Sequence, residues 1–384
     1  MKNLIIYAAS AMFALTACNA LDIIPSDSYS DPVVWQDQNL IKMYVNDQYN
    51  ALVGQDNFYR YSFFSDEVYQ KYNDEGCNYI RENILTSDNV GSVSDVLNYW
   101  NTGYGYLHKV NMFFENIESS RVDEEFKNTM INEMKFIRAF IYFRLIRSYG
   151  GVPIIKEVYD INSDWSNVKR NTYNECVEYI ISDLDDVIAN LPDRPSERNR
   201  VGANAARALK SRVLLYNASA LNNPDNDKER WQKASDAAKE LLDKGYSLCD
   251  NYREMFFDVT NNEYIFAKEF SETYSHMLGF NLACTGDGGR GWATPSQNLV
   301  DAYETLDGEI PVLNSESGDI NPKSIYNPEK PYENRDPRFY DCIYYNGSTS
   351  LNGRIVETFK DGADMIQQDM TMTGYYCRKF VNEN

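Results

Sequence analysis

The chain has 384 residues, and its 57 acidic side chains outnumber 37 basic ones, for a formal charge of −20. Such a balance argues against nucleic acid as a partner, because that binding rests on Lys and Arg contacts to phosphate, and against direct adhesion to an anionic membrane surface. Two histidines, and seven cysteines with no C-x-x-C pair, leave little material for a zinc site or for His-dependent catalysis. No G-x-S-x-G motif is present either.

The first segment carries a location signal. Lys2, the apolar run Leu4 to Leu15 and the small residues Thr16 and Ala17 have the order of a secretory signal peptide over 1–17. The apolar core is too short to cross a bilayer of about 30 Å as a helix. Leu15-Thr16-Ala17-Cys18 resembles a bacterial lipobox, in which the Cys18 thiol is lipidated and cleavage makes it the first residue. Each buried acyl CH₂ then contributes about 0.8 kcal/mol to the anchor. Residues 18–34 are polar with Pro25 and Pro32, and read as a lipidated, extended tether.

Beyond the tether, Leu40, Met43, Tyr44 and Tyr49 suggest a first helix over about 35–53. Residues 54–92, with Gly54, Gly76 and Gly91, read as irregular. A broad apolar face from Val96 to Ile117 predicts a helix over about 93–118. The strongest helix is 123–149, where Met130, Met134, Ile137, Ile141 and Leu145 recur at three- and four-residue steps. Gly150-Gly151 and Pro153 stop it. Helices are also predicted over 173–190, 203–220 and 228–244. The last two carry alanines at their interface positions and resemble a tetratricopeptide pair.

After Tyr246 the character changes. Residues 263–270 read as a strand, 283–297 are Gly-rich, and a short helix is expected from Leu299 to Tyr303. Residues 307–334 read as loop, while 339–346 and 374–382 read as short strands. The six cysteines after Cys18 are read mostly as small buried hydrophobes. The pairs Asp66-Glu67 and Asp185-Asp186 are read as solvated faces, since sequence neighbours usually diverge.

Several blocks in fixed order carry a family resemblance. Phe136-Ile137-Arg138-Ala139-Phe140-Ile141-Tyr142-Phe143, then Ser148-Tyr149-Gly150-Gly151-Val152-Pro153, resembles the central helix of the SusD/RagB outer-membrane lipoproteins of Bacteroidetes. Arg170-Asn171-Thr172-Tyr173, the run from Ala205 to Tyr216, Leu299 to Glu304, Arg335-Asp336-Pro337-Arg338-Phe339 and Thr373 to Phe380 resemble further blocks of that family. The fold this implies is mainly α. Tetratricopeptide-like helix pairs (about 93–250) join a loop-rich ligand-side region with short strands (about 251–384), together one SusD-like domain over 35–384. Members usually continue past the Gly-Tyr-Tyr block, so the resemblance implies that a C-terminal part is missing beyond Asn384.

The resemblance further implies a lipid-anchored, surface-facing outer-membrane protein that captures oligo- or polysaccharide and delivers it to a TonB-dependent transporter. It implies no catalytic role and no cofactor. The family's ligand site is a shallow aromatic surface, which suits the 30 Tyr, 18 Phe and 5 Trp of this chain, since such rings offer a flat apolar face with a polar tip. Within the Gly-rich loop, Trp292 is the leading candidate platform, with Arg290 and Asp287 as polar partners. Tyr274 is a second platform, and Tyr72 a contributor from the aromatic run 58–72. A peptide-binding or structural lid of such a transporter, and a two-carboxylate glycoside hydrolase, are the alternatives.

Overall fold

The computed structural model describes residues 31–52, 60–70, 76–93, 98–271, 276–367 and 370–383. Cys18, Tyr72 and Tyr274 lie outside the described residues. A short helical turn, Asp31–Val34, stands where the tether was expected to end. It is followed by α1 (Gln38–Gln48) and, after irregular chain, by α2 (Cys77–Arg81). Five longer helices then build the helical part: α3 (Trp100–Ile117), α4 (Glu124–Tyr149), α5 (Tyr173–Asn190), α6 (Ala203–Ala218) and α7 (Lys228–Lys239).

Their ends follow from side-chain chemistry. Asp123 accepts from the Phe126 amide to start α4. A full capping box starts α5: Thr172 accepts from the Glu175 amide, and Glu175 accepts from the Thr172 amide at 2.7 Å. Gly150, at φ +71°, ends α4 in a conformation that L side chains avoid. A Cβ on Gly151 would lie 2.1 Å from the Asn171 carbonyl oxygen, so only glycine lets the chain turn back there.

Ion pairs give the helix directions. Lys135 bonds Asp186 at 2.7 Å and Arg138 grips Asp183 with two 2.8 Å bonds, so α4 and α5 run antiparallel. Lys210 to Asp185 and Arg207 to Asp193 do the same for α5 and α6, and Arg207 to Glu240 with Arg230 to Asn217 for α6 and α7. The result is a stack of antiparallel helices, each packed on the next, as in tetratricopeptide arrays. The predicted stripe of α4 is fully buried, and so are Phe136, Tyr142, Phe143 and Ile146 off it. The helix is therefore wrapped on most sides, by α1, α3, α5 and α6.

The remaining chain is mostly loop. Short elements punctuate it: α8 (Leu278–Leu282), α9 (Gln297–Ala302) and α10 (Pro337–Cys342). Three two-stranded antiparallel ladders join β1 (Val68–Gln70) to β2 (Ala293–Pro295), β3 (Val312–Asn314) to β4 (Asp319–Ile320), and β5 (Ile343–Tyr344) to β6 (Tyr376–Cys377). Two smaller apolar clusters support this part, one around Phe63, Leu282, Tyr344 and Tyr376 and one around Val300, Phe339 and Tyr375.

Three expectations are corrected. Residues 263–270 form no strand; Phe266 instead packs edge-on against Phe136 of α4, and the segment has no ladder partner among the described residues. Residues 337–342 are helical rather than extended, because Asp336 caps the Arg338 amide and Pro337 occupies the first turn. The expected loop 307–334 contains the β3–β4 hairpin.

The Arg138–Asp183 pair is the most enclosed link between α4 and α5, with side chains 12% and 6% exposed. The guanidinium also lies over the Phe114 ring at 4.3 Å. Arg138→Met should strand the Asp183 carboxylate and cost about 3–5 kcal/mol. Urea unfolding monitored by circular dichroism reads this, and adding Asp183→Leu to Arg138→Met should recover most of the loss. A single-variant cost under about 1 kcal/mol would mean that the pair is not a lock between the helices.

Candidate functional site

The Gly-rich loop folds back onto α8 through four main-chain bonds. The amides of Gly289, Arg290, Gly291 and Trp292 donate to the carbonyls of Cys284, Phe280, Ala283 and Asn281. Its glycines are forced by contact: a Cβ on Gly289 would sit 2.4 Å from the Ala283 carbonyl oxygen, and one on Gly291, at φ +55°, 2.6 Å from the Tyr376 ring. Beneath the loop, Tyr376 shares a 2.7 Å hydrogen bond with Thr285, and burial pushes the Tyr376 hydroxyl pKa upward.

The loop is clamped from one side by charge. Arg354 donates to Asp287 at 2.5 Å and to both oxygens of Asp364 at 2.6 and 3.1 Å. Asp364, 0% exposed, also accepts from the Gly286 and Glu357 amides. The Asp287 bond, followed by the Asp364 contacts, raises the Arg354 pKa and keeps it charged. Asp287 therefore faces inward. Its side chain is 4% exposed, one oxygen takes Arg354 and Ser350, and the other is buried without a partner among the described residues. The structure places it as a support of the loop rather than as an outward partner of Trp292.

Trp292 and Arg290 do meet. The Arg290 guanidinium lies 5.1 Å from the centroids of both the Trp292 and Phe280 rings. It also donates to the Asn281 side chain at 3.4 Å. Trp292 is half-buried against the Phe63–Tyr376 cluster, and its indole Nε1 is buried with no acceptor among the described residues. The chain then enters β2, whose Thr294 stands opposite Tyr69 on β1. Tyr69 is 48% exposed with the Arg81 guanidinium 5.6 Å from its centroid.

One ring was not singled out by the sequence, and another stood there only as a member of the aromatic run 58–72. Phe280, 43% exposed, is the second ring under Arg290, and Tyr69 is the exposed ring on the strand paired with β2. The signal for Phe280 was its distance of ten residues from Arg290, which only the folded-back loop brings into contact. On its other side the loop borders a 540 Å³ cavity walled by Phe256, Phe280 and Phe380, with His276 at its edge. His276 stacks edge-on against Phe270 at 5.2 Å. The acidic pair Asp185-Asp186 is engaged by Lys210 and Lys135. Among the described residues no three His, Cys, Asp or Glu side chains come together as a metal site.

This geometry, aromatic faces edged by guanidinium donors on a fixed loop, stands beside a consistent set of similarities. A family model described as "Starch-binding associating with outer membrane" matches residues 21–215, and one described as "SusD family" matches residues 262–384. The chain belongs to the SusD family. A SusD-like protein from Formosa agariphila is 23% identical over 71% of this chain and 56% of its own length. One from Bacteroides ovatus is 25% identical over 54% of this chain and 40% of its own. The chain thus spans about half the length of these curated relatives. Among solved structures, a SusD-like protein from Bacteroides fragilis superposes with a TM-score of 0.76 at 27% identity, covering 92% of this chain and 70% of that one. A SusD-like carbohydrate-binding protein from the same species gives 0.75 at 22% identity over 90% and 68%. The SusD fold is thus the helical stack with its loop-rich companion described above.

The Arg354 clamp makes a direct prediction. Arg354→Met should leave Asp364 and Asp287 without their cation and release the loop. Amide hydrogen exchange over 286–292 should accelerate by at least roughly tenfold, as expected when local opening loses a charged network, while exchange in α4 stays unchanged. Unaltered exchange over 286–292 would show that the main-chain bonds alone hold the loop.

Proposed function

We propose that this SusD-family protein captures oligo- or polysaccharide at the cell surface, held to the outer membrane by lipid on Cys18, and passes it to a TonB-dependent transporter. The reading gives it no catalytic step. Trp292 and Arg290 form the centre of the capture surface, with Phe280 beside them. Tyr72 and Tyr274 remain proposed contributors, and Asp287 supports the loop from below.

The observation that carries the reading is the Trp292–Arg290 pair. A sugar presents C–H-rich ring faces and hydroxyl edges. The indole and Phe280 rings meet the former, and the guanidinium bonds the latter. The starch-binding description of the matching family model and the carbohydrate-binding description of a solved relative support the same reading. A surface of this kind gains affinity from several weak contacts, which suits a protein that must release its ligand onward.

The test is retention in native gels cast with soluble polysaccharides (amylopectin, xylan, laminarin, pectic galactan), followed by calorimetry with the retained glycan. Trp292→Ala should weaken binding by about 10-fold or more, equivalent to about 1.4 kcal/mol. Asp287→Asn should matter less for affinity than for thermal stability. Binding of peptides with no glycan retained would point instead to a peptide-binding or structural lid. Reducing ends that appear on incubation and vanish on replacing one carboxylate would point to a hydrolase.

A further inference from the structure

A second ligand slot is built into the helical part, away from the Gly-rich loop. Trp100, Tyr104, His108 and Asn111 recur at four, four and three residues along α3, so they share one face. The returning chain after Gly150-Gly151 covers that face and is stitched to it. Tyr104 donates its hydroxyl to the Pro153 carbonyl at 2.8 Å, and the Asn111 amide donates to the carbonyls of Ile155 and Glu157 at 3.1 and 3.0 Å. Between helix and chain lies a 260 Å³ slot.

Its walls are aromatic on both sides. Trp100 and Tyr104 pair with centroids 4.9 Å apart on the helix, and Tyr159 and Trp165 pair at 4.6 Å on the covering chain. Trp165 is 52% exposed, and its orientation is fixed by an Nε1 bond to the Asp160 carbonyl.

One polar group marks the floor. Asn111 is 2% exposed and lines the slot. Its two donor bonds fix which way the carboxamide points, and its Oδ1 is left buried with no partner among the described residues. An unmet acceptor of this kind costs about 1–3 kcal/mol, which a slot ligand whose hydroxyl reached it would recover. Glu157, Tyr159 and His108 also line the slot.

We propose that this slot is a second carbohydrate subsite that takes a single pyranose ring. Ring faces stack between the two aromatic pairs, and one ring hydroxyl donates toward Asn111. The volume sets the size class, because ligand pockets run upward from about 300 Å³: one ring fits, an oligomer does not. The proposal rests on the glycan-capture reading above. It adds that a chain held at Trp292 meets a separate, single-unit contact on the helical part.

Saturation-transfer NMR with a panel of methyl pyranosides (α-glucoside, α-mannoside, β-galactoside, β-xyloside) and N-acetylglucosamine tests this on the full chain. At least one glycoside should give a signal in the unmodified protein and in Trp292→Ala. The signal should fall roughly tenfold in Trp165→Ala, the loss of one stacking wall. It should return substantially in Trp165→Phe, which controls for damage to the 153–168 chain. A signal unchanged in Trp165→Ala, or lost in Trp292→Ala and kept in Trp165→Ala, overturns the second subsite and leaves the capture reading standing. No monosaccharide signal alongside retained polysaccharide binding does the same. Absence of both overturns both.

Discussion

Arg354 holds two carboxylates of the loop-rich part at once, and the position of the candidate capture surface depends on that grip. Asp364 is fully buried and Asp287 nearly so. Neither is stable as an anion in such surroundings without a cation and hydrogen bonds. Arg354 supplies the cation, while the Gly286 and Glu357 amides and the Ser350 hydroxyl supply the rest. These bonds fix the first turn of the Gly-rich segment. The segment can then fold back on α8, and Trp292 arrives beside Phe280 with Arg290 against both rings.

The helical part obeys a simpler logic, and most of it was legible in the sequence. Its helices have amphipathic periods, a capping box at Thr172, and a Gly-Gly stop after Tyr149, all of which are local signals. Their packing partners were less visible, because the charges that align them stand 14 to 51 residues apart. The loop-rich part resisted for the same reason in stronger form. β1 meets β2 across 225 residues, and Arg354 meets Asp287 across 67. A short apolar run such as 263–270 has strand character, yet forms no ladder, because the packing it finds is the side of a helix bundle.

The candidate site shows the same division. A Trp among glycines stands out in the sequence, and Arg290, two residues before it, lies against its ring in the fold. Whether an acidic side chain in the same loop points outward or inward depends on a partner far along the chain, so Asp287 could not be oriented from sequence. Phe280 gave no pattern and Tyr69 stood only within the aromatic run 58–72, since each acquires its neighbours through the fold. The aromatic slot on α3 was not legible: Trp100 lies within the apolar face predicted for 93–118, and its partners Tyr159 and Trp165 come from the chain after Gly151.

The account's central claim is that sugar rings dock on Trp292 with Arg290 at their edge. The most direct measurement is a crystal structure of the protein with the oligosaccharide it retains. The account predicts a pyranose ring stacked within about 4 Å of the exposed part of the Trp292–Phe280 surface, the distance of ordinary apolar contact, with a hydroxyl bonded to Arg290. Glycan density confined to other surfaces, with Trp292 and Arg290 untouched, would contradict it.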